Sequence, residues 1–491
     1  MNHTIGRAER VLGIMSFVSV LLYLVHVFWE VEWIHLLYSV MAACLLAVAV
    51  CTVRKGNGIT ALLLFAIGSI IFIVEKVPAL DVLHAFGQNM NLLALFVIVP
   101  LIGVMISVGG YLSALKAMVF RMERNGESHP YILSTVLTST MGLVLNLGSM
   151  PIVFRIAEKS FSQFYKKRMG QVILRAFVFC MFWSPYFVNV GLISVLYDLS
   201  WADIGLVGLG IALIYLICSM VFFRWTHFEH DVLAGQKRVK ETNGESLPQT
   251  QTLQTDGIED AGVDAKASAQ DIEWPGVKRK LKTLLIASFF LFFISLSLDA
   301  VTNINMLTIV SLMGLIYPFL WSIAVRQFRH YIYDAVEYVE RSFVRLKNEL
   351  AIFISAGYFG VALTFTPVGE WFADLIIYAS FGHIYLMSII VMIFVIFLAT
   401  VGLHPVVVVI GIGGALQPEL FSVSSEYMAI LLLCAWALAT SVSPFSGSVL
   451  MASSLMNISP WRVAKQNGRL VAFLVLLIPF VLTGLHMIAW L

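Results

Sequence analysis

The chain has 491 residues, 59% hydrophobic and 12% charged, with a formal net charge of +2. Apolar runs of about 18 or more residues can each cross a hydrocarbon core. The composition therefore excludes an ordinary soluble domain and describes an all-α polytopic membrane protein. The five cysteines, Cys44, Cys51, Cys180, Cys218 and Cys434, are scattered singly and without metal spacing, as buried small hydrophobes are.

The first spans are expected at 11–29, 34–53 and 59–74, with the basic pair Arg54-Lys55 after the second. The first run is long for a signal-peptide core and lacks a small-residue cleavage site, so it is kept as a membrane helix. Residues 1–89 thus read as N-terminal scaffold helices. A first unit, 90–224, contains a span at 90–110, an interrupted apolar segment at 131–157, a longer one at 171–199 and a span at 204–223. Residues 225–280 are rich in Gln, Thr, Asp, Glu and Gly and read as a disordered cytoplasmic linker. Residues 281–347 supply scaffold spans at 281–298 and 304–325, then an amphipathic interfacial stretch. A second unit, 348–491, holds a span at 351–366, interrupted runs at 384–416 and 427–455, and a last span at 470–491.

Residues 440–459 place a Pro, a Gly and seven Ser inside an apolar run. Pro444 has no N–H to give, so the Thr440 carbonyl loses its usual partner. Ser443 is then suited to cap a new helix with Pro444 in its first position. The segment reads as a helix that breaks and restarts, an arrangement tolerated at membrane depth only inside protein or beside a wet cavity. The earlier half carries a counterpart, Ser184-Pro185-Tyr186 against Ser443-Pro444-Phe445, at an offset of 259 (443 − 184). Asn91-Leu-Leu-Ala-Leu-Phe parallels Asn348-Glu-Leu-Ala-Ile-Phe at 257 (348 − 91), with Gly103 on Gly360. Ser139-Thr-Met-Gly-Leu parallels Ala399-Thr-Val-Gly-Leu at 260 (399 − 139). Three matches in order at nearly constant offset point to a duplication with one site element per copy.

An excess of Lys and Arg marks cytoplasmic loops. That rule assigns the N-terminus, Arg54-Lys55, the 116–124 and 155–168 clusters and the linker to the inside. A single apolar segment separates Arg124 from Arg155, so 131–157 is expected to enter and return as a re-entrant hairpin. In the second half Arg326, Arg329, Arg462, Lys465 and Arg469 go inside and Glu370 and Asp374 outside. The run at 384–416 then becomes a hairpin entering from outside, and the C-terminus ends outside. The expected fold has about eleven transmembrane helices and two inverted repeats, each with a re-entrant hairpin and a broken helix.

In these features the chain resembles the ion transporter superfamily. That group includes divalent anion–sodium symporters, arsenite pump membrane subunits, sodium–proton antiporters of the same fold and the large subunits of tripartite dicarboxylate carriers. The run Ser443-Pro-Phe-Ser-Gly-Ser-Val-Leu and the following Ile458-Ser-Pro-Trp carry the resemblance most closely, and it extends over residues 91–223 and 348–491. The symporters have Ser-Asn-Thr at their hairpin tips, where this chain has Thr138-Ser139-Thr140 and Ala399-Thr400. The resemblance implies secondary transport by elevator-like alternating access, with Na+ or a proton as coupling ion and no other cofactor. It also implies a homodimer, the frequent state of that fold.

Each broken helix is expected to expose a half-helix N-terminus, whose free N–H groups and positive dipole end attract an anion. Each also frees a carbonyl, near Met181 and Thr440, for a cation. Ser184, Pro185 and Asn189 form the first such element, and Ser443, Pro444, Ser446, Gly447 and Ser448 the second. A proline kink packed by small residues is the structural alternative. Thr138, Ser139, Thr140, Asn146 and Thr400 could complete a midplane site or simply satisfy backbone groups at the hairpin tips. His404 is either a proton carrier or a hydrogen-bonded structural group. Arg175 is expected to snorkel to the cytoplasmic edge, and Asp198 and Asp299 to face water at outer ends.

Buried acidic pairs are missing from the spans, which weighs against a dedicated cation antiporter. No HExxH, nucleophile–base pair or phosphate-binding loop argues for an enzyme. The reading is an inner-membrane secondary transporter of a small anion, carboxylates foremost, whose partners are its solute and the bilayer rather than nucleic acid. A sodium–proton or metalloid antiporter of the same fold is the alternative within transport. A non-transporting membrane assembly or signalling component is the alternative outside it.

Overall fold

The computed structural model describes residues 6–53, 55–124, 129–161, 164–226, 274–302 and 304–488. The expected linker falls for the most part outside them. Every regular element among the described residues is helical.

The N-terminal helices are α1 (Arg7–Trp29), α2 (Glu32–Thr52), α3 (Lys55–Val74) and the short α4 (Ala79–His84). Next come α5 (Met90–Ile98) and α6 (Pro100–Val108), α7 (Tyr111–Arg124), α8 (Pro130–Leu145), α9 (Ser149–Ser160), α10 (Lys166–Met181), α11 (Val188–Leu196) and α12 (Trp201–Phe223). Two scaffold helices, α13 (Trp274–Val301) and α14 (Met306–Ala324), precede the amphipathic α15 (Phe328–Glu340). The chain then runs through α16 (Ser342–Leu363), α17 (Val368–Ser380), α18 (Ile384–Val401), α19 (Pro405–Ala415), α20 (Ser425–Val442), α21 (Gly447–Met456) and α22 (Pro460–Met487). The order after α16 follows that after α6: one helix, a helical hairpin, a long helix, a short helix, and a last long helix.

Eleven helices among the described residues are long and apolar enough to cross a membrane, and the chain is a multi-pass membrane protein. Their membership differs from the expected eleven in one place. Ile384–Val401, read from sequence as half a hairpin, qualifies by itself. The expected span at 171–199 does not, because α10 stops at Met181 after 16 residues and carries Lys166, Lys167, Arg168 and Arg175.

Two helices occupy the centre. Every residue from Met169 to Met181 in α10 is buried, as is every residue from Tyr427 to Ser441 in α20. A helix apolar on all faces must be covered on all faces, and alanines at 435, 437 and 439 let neighbouring backbones approach α20. α8, α9 and α21 cover α10, while α11, α18, α19 and α22 cover α20, and the two central helices also touch each other. α3 and α2 pack on α16, joining the N-terminal helices to the second half. Where α5 meets α16, the rings of Phe96 and Phe353 stand 5.0 Å apart. These are the last residues of the two matched hexapeptides.

Candidate functional site

Both expected helix breaks are present, and they share one construction. Ser184 N–H donates to the Cys180 carbonyl at 3.0 Å and Ser443 N–H to that of Ala439, the residue matched to Cys180, at 2.8 Å, which closes each first helix. Three residues later the chain turns. Phe187 N–H donates to Ser184 O, and Ser446 N–H to Ser443 O, each at 3.1 Å. These are β-turns with proline in the second position, where its fixed φ suits the turn. The restart is therefore later than the sequence implied. Pro444 is a turn residue rather than the first helical one, and Ser446, not Ser443, caps α21, accepting from Val449 N–H at 3.3 Å. A residue before proline is steered out of helical geometry, and Ser443 has ψ 120° accordingly.

The carbonyls freed by the prolines are already engaged. Asn189 Nδ2 donates to Met181 O at 2.7 Å. Ser446 and Ser448 hydroxyls donate to Thr440 O at 2.7 and 3.0 Å. The Thr440 carbonyl, expected to be open to a cation, is thus occupied by two donors. Ser443 serves the fold differently: its hydroxyl donates to Ala399 O at 2.6 Å, tying the break to the last turn of α18.

The first break is less complete. No side chain caps α11 at Phe187, so its first N–H groups keep the orphan character of any helix start. Ser184 Oγ and Asn189 Oδ1 are buried without a hydrogen-bond partner. Thr138 Oγ1, on the neighbouring α8, is in the same condition. α8 is held against this region by Cys180 Sγ, which lies 3.4 Å from Ser139 O.

The hairpin turns need a correction. Thr138, Ser139 and Thr140 are not at a tip; they lie inside α8, where Thr140 Oγ1 bonds back to Val136 O at 2.8 Å. The turn is Asn146–Gly148, with Asn146 at φ 49°. In the second hairpin Thr400 also bonds back within its helix, to Ile396 O at 2.7 Å, and the chain turns at Gly402, φ 114°. His404 begins α19 as its N-cap, its Nδ1 accepting from Val406 N–H at 3.3 Å, and its ring stands edge-on to Phe353 at 5.8 Å. Both turns reach the second break: Leu147 lies against Gly447, and Gly402 against the Phe445 ring. The structure therefore gathers Asn146, Ser443, Pro444, Ser446, Gly447 and Ser448 in one region, with Thr138, Ser184, Pro185 and Asn189 around the first break. Thr140 and Thr400 are spent on their own helices.

Two ionisable residues depart from expectation. Asp299 is buried, not water-facing, and its Oδ2 accepts from Trp201 N–H at 2.7 Å at the start of α12. Arg175 does not snorkel. It is 3% exposed and donates to Asn467 Oδ1 at 3.1 Å, Ser219 O at 2.9 Å and Thr226 Oγ1 at 3.3 Å. Asn467 also accepts from Gln171 Nε2 and donates to Ser441 O at 2.9 Å. This network was missed from sequence, although Gln171 and Arg175, one turn apart in an apolar helix, were its signal. No protein-family model matches the chain, and no curated protein matches it.

Proposed function

We propose that the protein is a secondary transporter of a small anion, built from two inverted repeats, 90–224 and 348–491, with α8–α9 and α18–α19 as re-entrant hairpins. One observation carries this reading: the two broken helices pair start to end. Gly170, in the first turns of α10, lies directly against Met456, the last residue of α21. The packing is reciprocal, α10 with α21 and α11 with α20, as two copies related by a two-fold axis require. Parallel copies would instead set the two short helices side by side. The Phe96–Phe353 contact fits the same axis, since equivalent residues touch only close to it.

The pairing also brings the two breaks level. At 1.5 Å per residue, Gly447 stands about 14 Å from Met456 and Met181 about 16 Å from Gly170. The two breaks are thus about level with each other, which fits a shared site of the kind inverted-repeat transporters hold at mid-membrane. The uncapped start of α11, with the unpaired Ser184 hydroxyl, offers donors to an anion there. The driving gradient is sodium or proton, and the basic clusters at 116–124, 155–168 and 462–469 assign their ends of the bundle to the cytoplasm. Gradient-driven flux of labelled carboxylates into proteoliposomes tests the proposal; no flux of any anion by well-folded protein overturns it. That outcome favours a second reading, a membrane component that keeps the fold without transport, which the fully engaged Thr440 carbonyl supports.

A further inference from the structure

A cavity of about 530 Å³ opens where α10, the end of α12 and the start of α22 converge, and none of its lining residues belongs to either turn. Five cationic side chains line it: Lys167, Arg175, Arg462, Lys465 and Arg469. Among the described residues no Asp or Glu lines it; the rest are Thr226, Gln466 and the apolar Phe222, Trp225 and Leu470. Like charges around one space repel, and burying Arg175 beside Arg462, Lys465 and Arg469 adds a desolvation cost. Against that cost Arg175 has the Phe223 ring face and hydrogen bonds to neutral oxygens, those of Asn467, Ser219 and Thr226. These bonds use three of the five N–H donors of a guanidinium.

We propose that this cavity binds a phosphate-bearing anion. The guanidiniums of Arg175, Arg462 and Arg469 with the Lys465 ammonium match a group with several oxygens and more than one negative charge, which a single monocarboxylate does not supply. The volume falls in the range of small-ligand sites. Basic pockets between helices at this membrane level recognise phosphate in two settings, an acidic phospholipid headgroup or a soluble phosphate ester. The exposed Trp225 at the cavity is suited to either, as an interfacial anchor beside acyl chains or as a stacking face. The site stands independently of transport, but it is wired to the second break. Arg175 holds Asn467, and Asn467 holds Ser441 O, two residues before Ser443.

The test uses the full chain. Inorganic pyrophosphate is titrated calorimetrically into detergent-solubilised protein, and melting temperatures are compared in phosphatidylcholine nanodiscs with and without phosphatidylglycerol. Binding or stabilisation in either arm, beyond that of KCl at equal ionic strength, is the expected result. Phosphatidylglycerol alone acting identifies a lipid headgroup, and pyrophosphate binding identifies a soluble phosphate. The variant K465Q/R469Q alters two exposed side chains and should weaken the active probe on the order of tenfold. Should that variant misfold, R462Q, also exposed, carries the same comparison. Neither probe acting, or a folded variant binding within about twofold of the parent, overturns the proposal.

Discussion

Asn189 reaches back across Pro185 to donate its amide to the Met181 carbonyl at 2.7 Å. It thereby replaces the backbone N–H that proline lacks, four residues after the proline rather than at it. Ser448 stands in the same relation to Pro444 and does the same for Thr440, at 3.0 Å. The two positions are not equally exposed to mutation. Asn189→Leu leaves a buried carbonyl without its donor and should cost about 1–3 kcal/mol. Ser448→Ala should cost less than about 1 kcal/mol, because Ser446 still donates to Thr440 O. Chemical unfolding of the two purified variants measures the difference; equal losses would show that the backups are not independent.

Ser184 and Ser443 occupy matched positions with different duties, which separates folding from function. The Ser443 hydroxyl holds Ala399 O at 2.6 Å, so Ser443→Ala should lower stability by about 1 kcal/mol and disturb the α18–α20 contact. The Ser184 hydroxyl has no partner, so Ser184→Ala should leave the melting temperature unchanged while reducing anion flux. Normal flux in Ser184→Ala would remove that hydroxyl from the site.

The packing of Gly170 on Met456 predicts a size-dependent pair. Gly170→Leu drives a side chain into Met456 and should destabilise by about 1–3 kcal/mol, as overpacked cores do. Adding Met456→Ala should recover part of that loss. A double variant no better than Gly170→Leu would mean that the two residues are not in contact, and the antiparallel pairing would lose its main support.

His404 can be tested as a cap against a proton carrier. With Nδ1 accepting from Val406 N–H, the ring is neutral and its proton is on Nε2. Asn is also a good N-cap, so His404→Asn should preserve stability and the pH profile of flux, whereas His404→Leu should cost about 1 kcal/mol. A pH profile flattened by His404→Asn, with stability intact, would instead identify the imidazole as the coupling group.

Apolar runs, prolines and the spacing of the duplicated motif made the spans and both breaks legible in the sequence. Hairpin turns were harder. The resemblance to the symporters set the first tip at Thr138–Thr140, yet the helix continues to Leu145 and turns at Asn146. Gly402 is 256 residues beyond Asn146 (402 − 146), so the sequence register was off by four residues, about one helical turn. Threonines gave no stop signal because each hydroxyl can bond to the preceding turn of its own helix; Asn146-Leu147-Gly148 was the better cue. Arg175 and Asp299 were misplaced for another reason. Burial depends on partners remote in sequence, Asn467 for one and Trp201 for the other, and no local pattern reports them.

The proline turns also bear on mechanics. Each is closed on both sides by hydrogen bonds, Ser184 to Cys180 and Phe187 to Ser184 in one, Ser443 to Ala439 and Ser446 to Ser443 in the other. A joint fastened in this way is an elbow fixed at one angle, not a hinge. A change of angle at either break would have to give up at least one of these bonds, so the bend belongs to the folded chain itself and not to a free swivel.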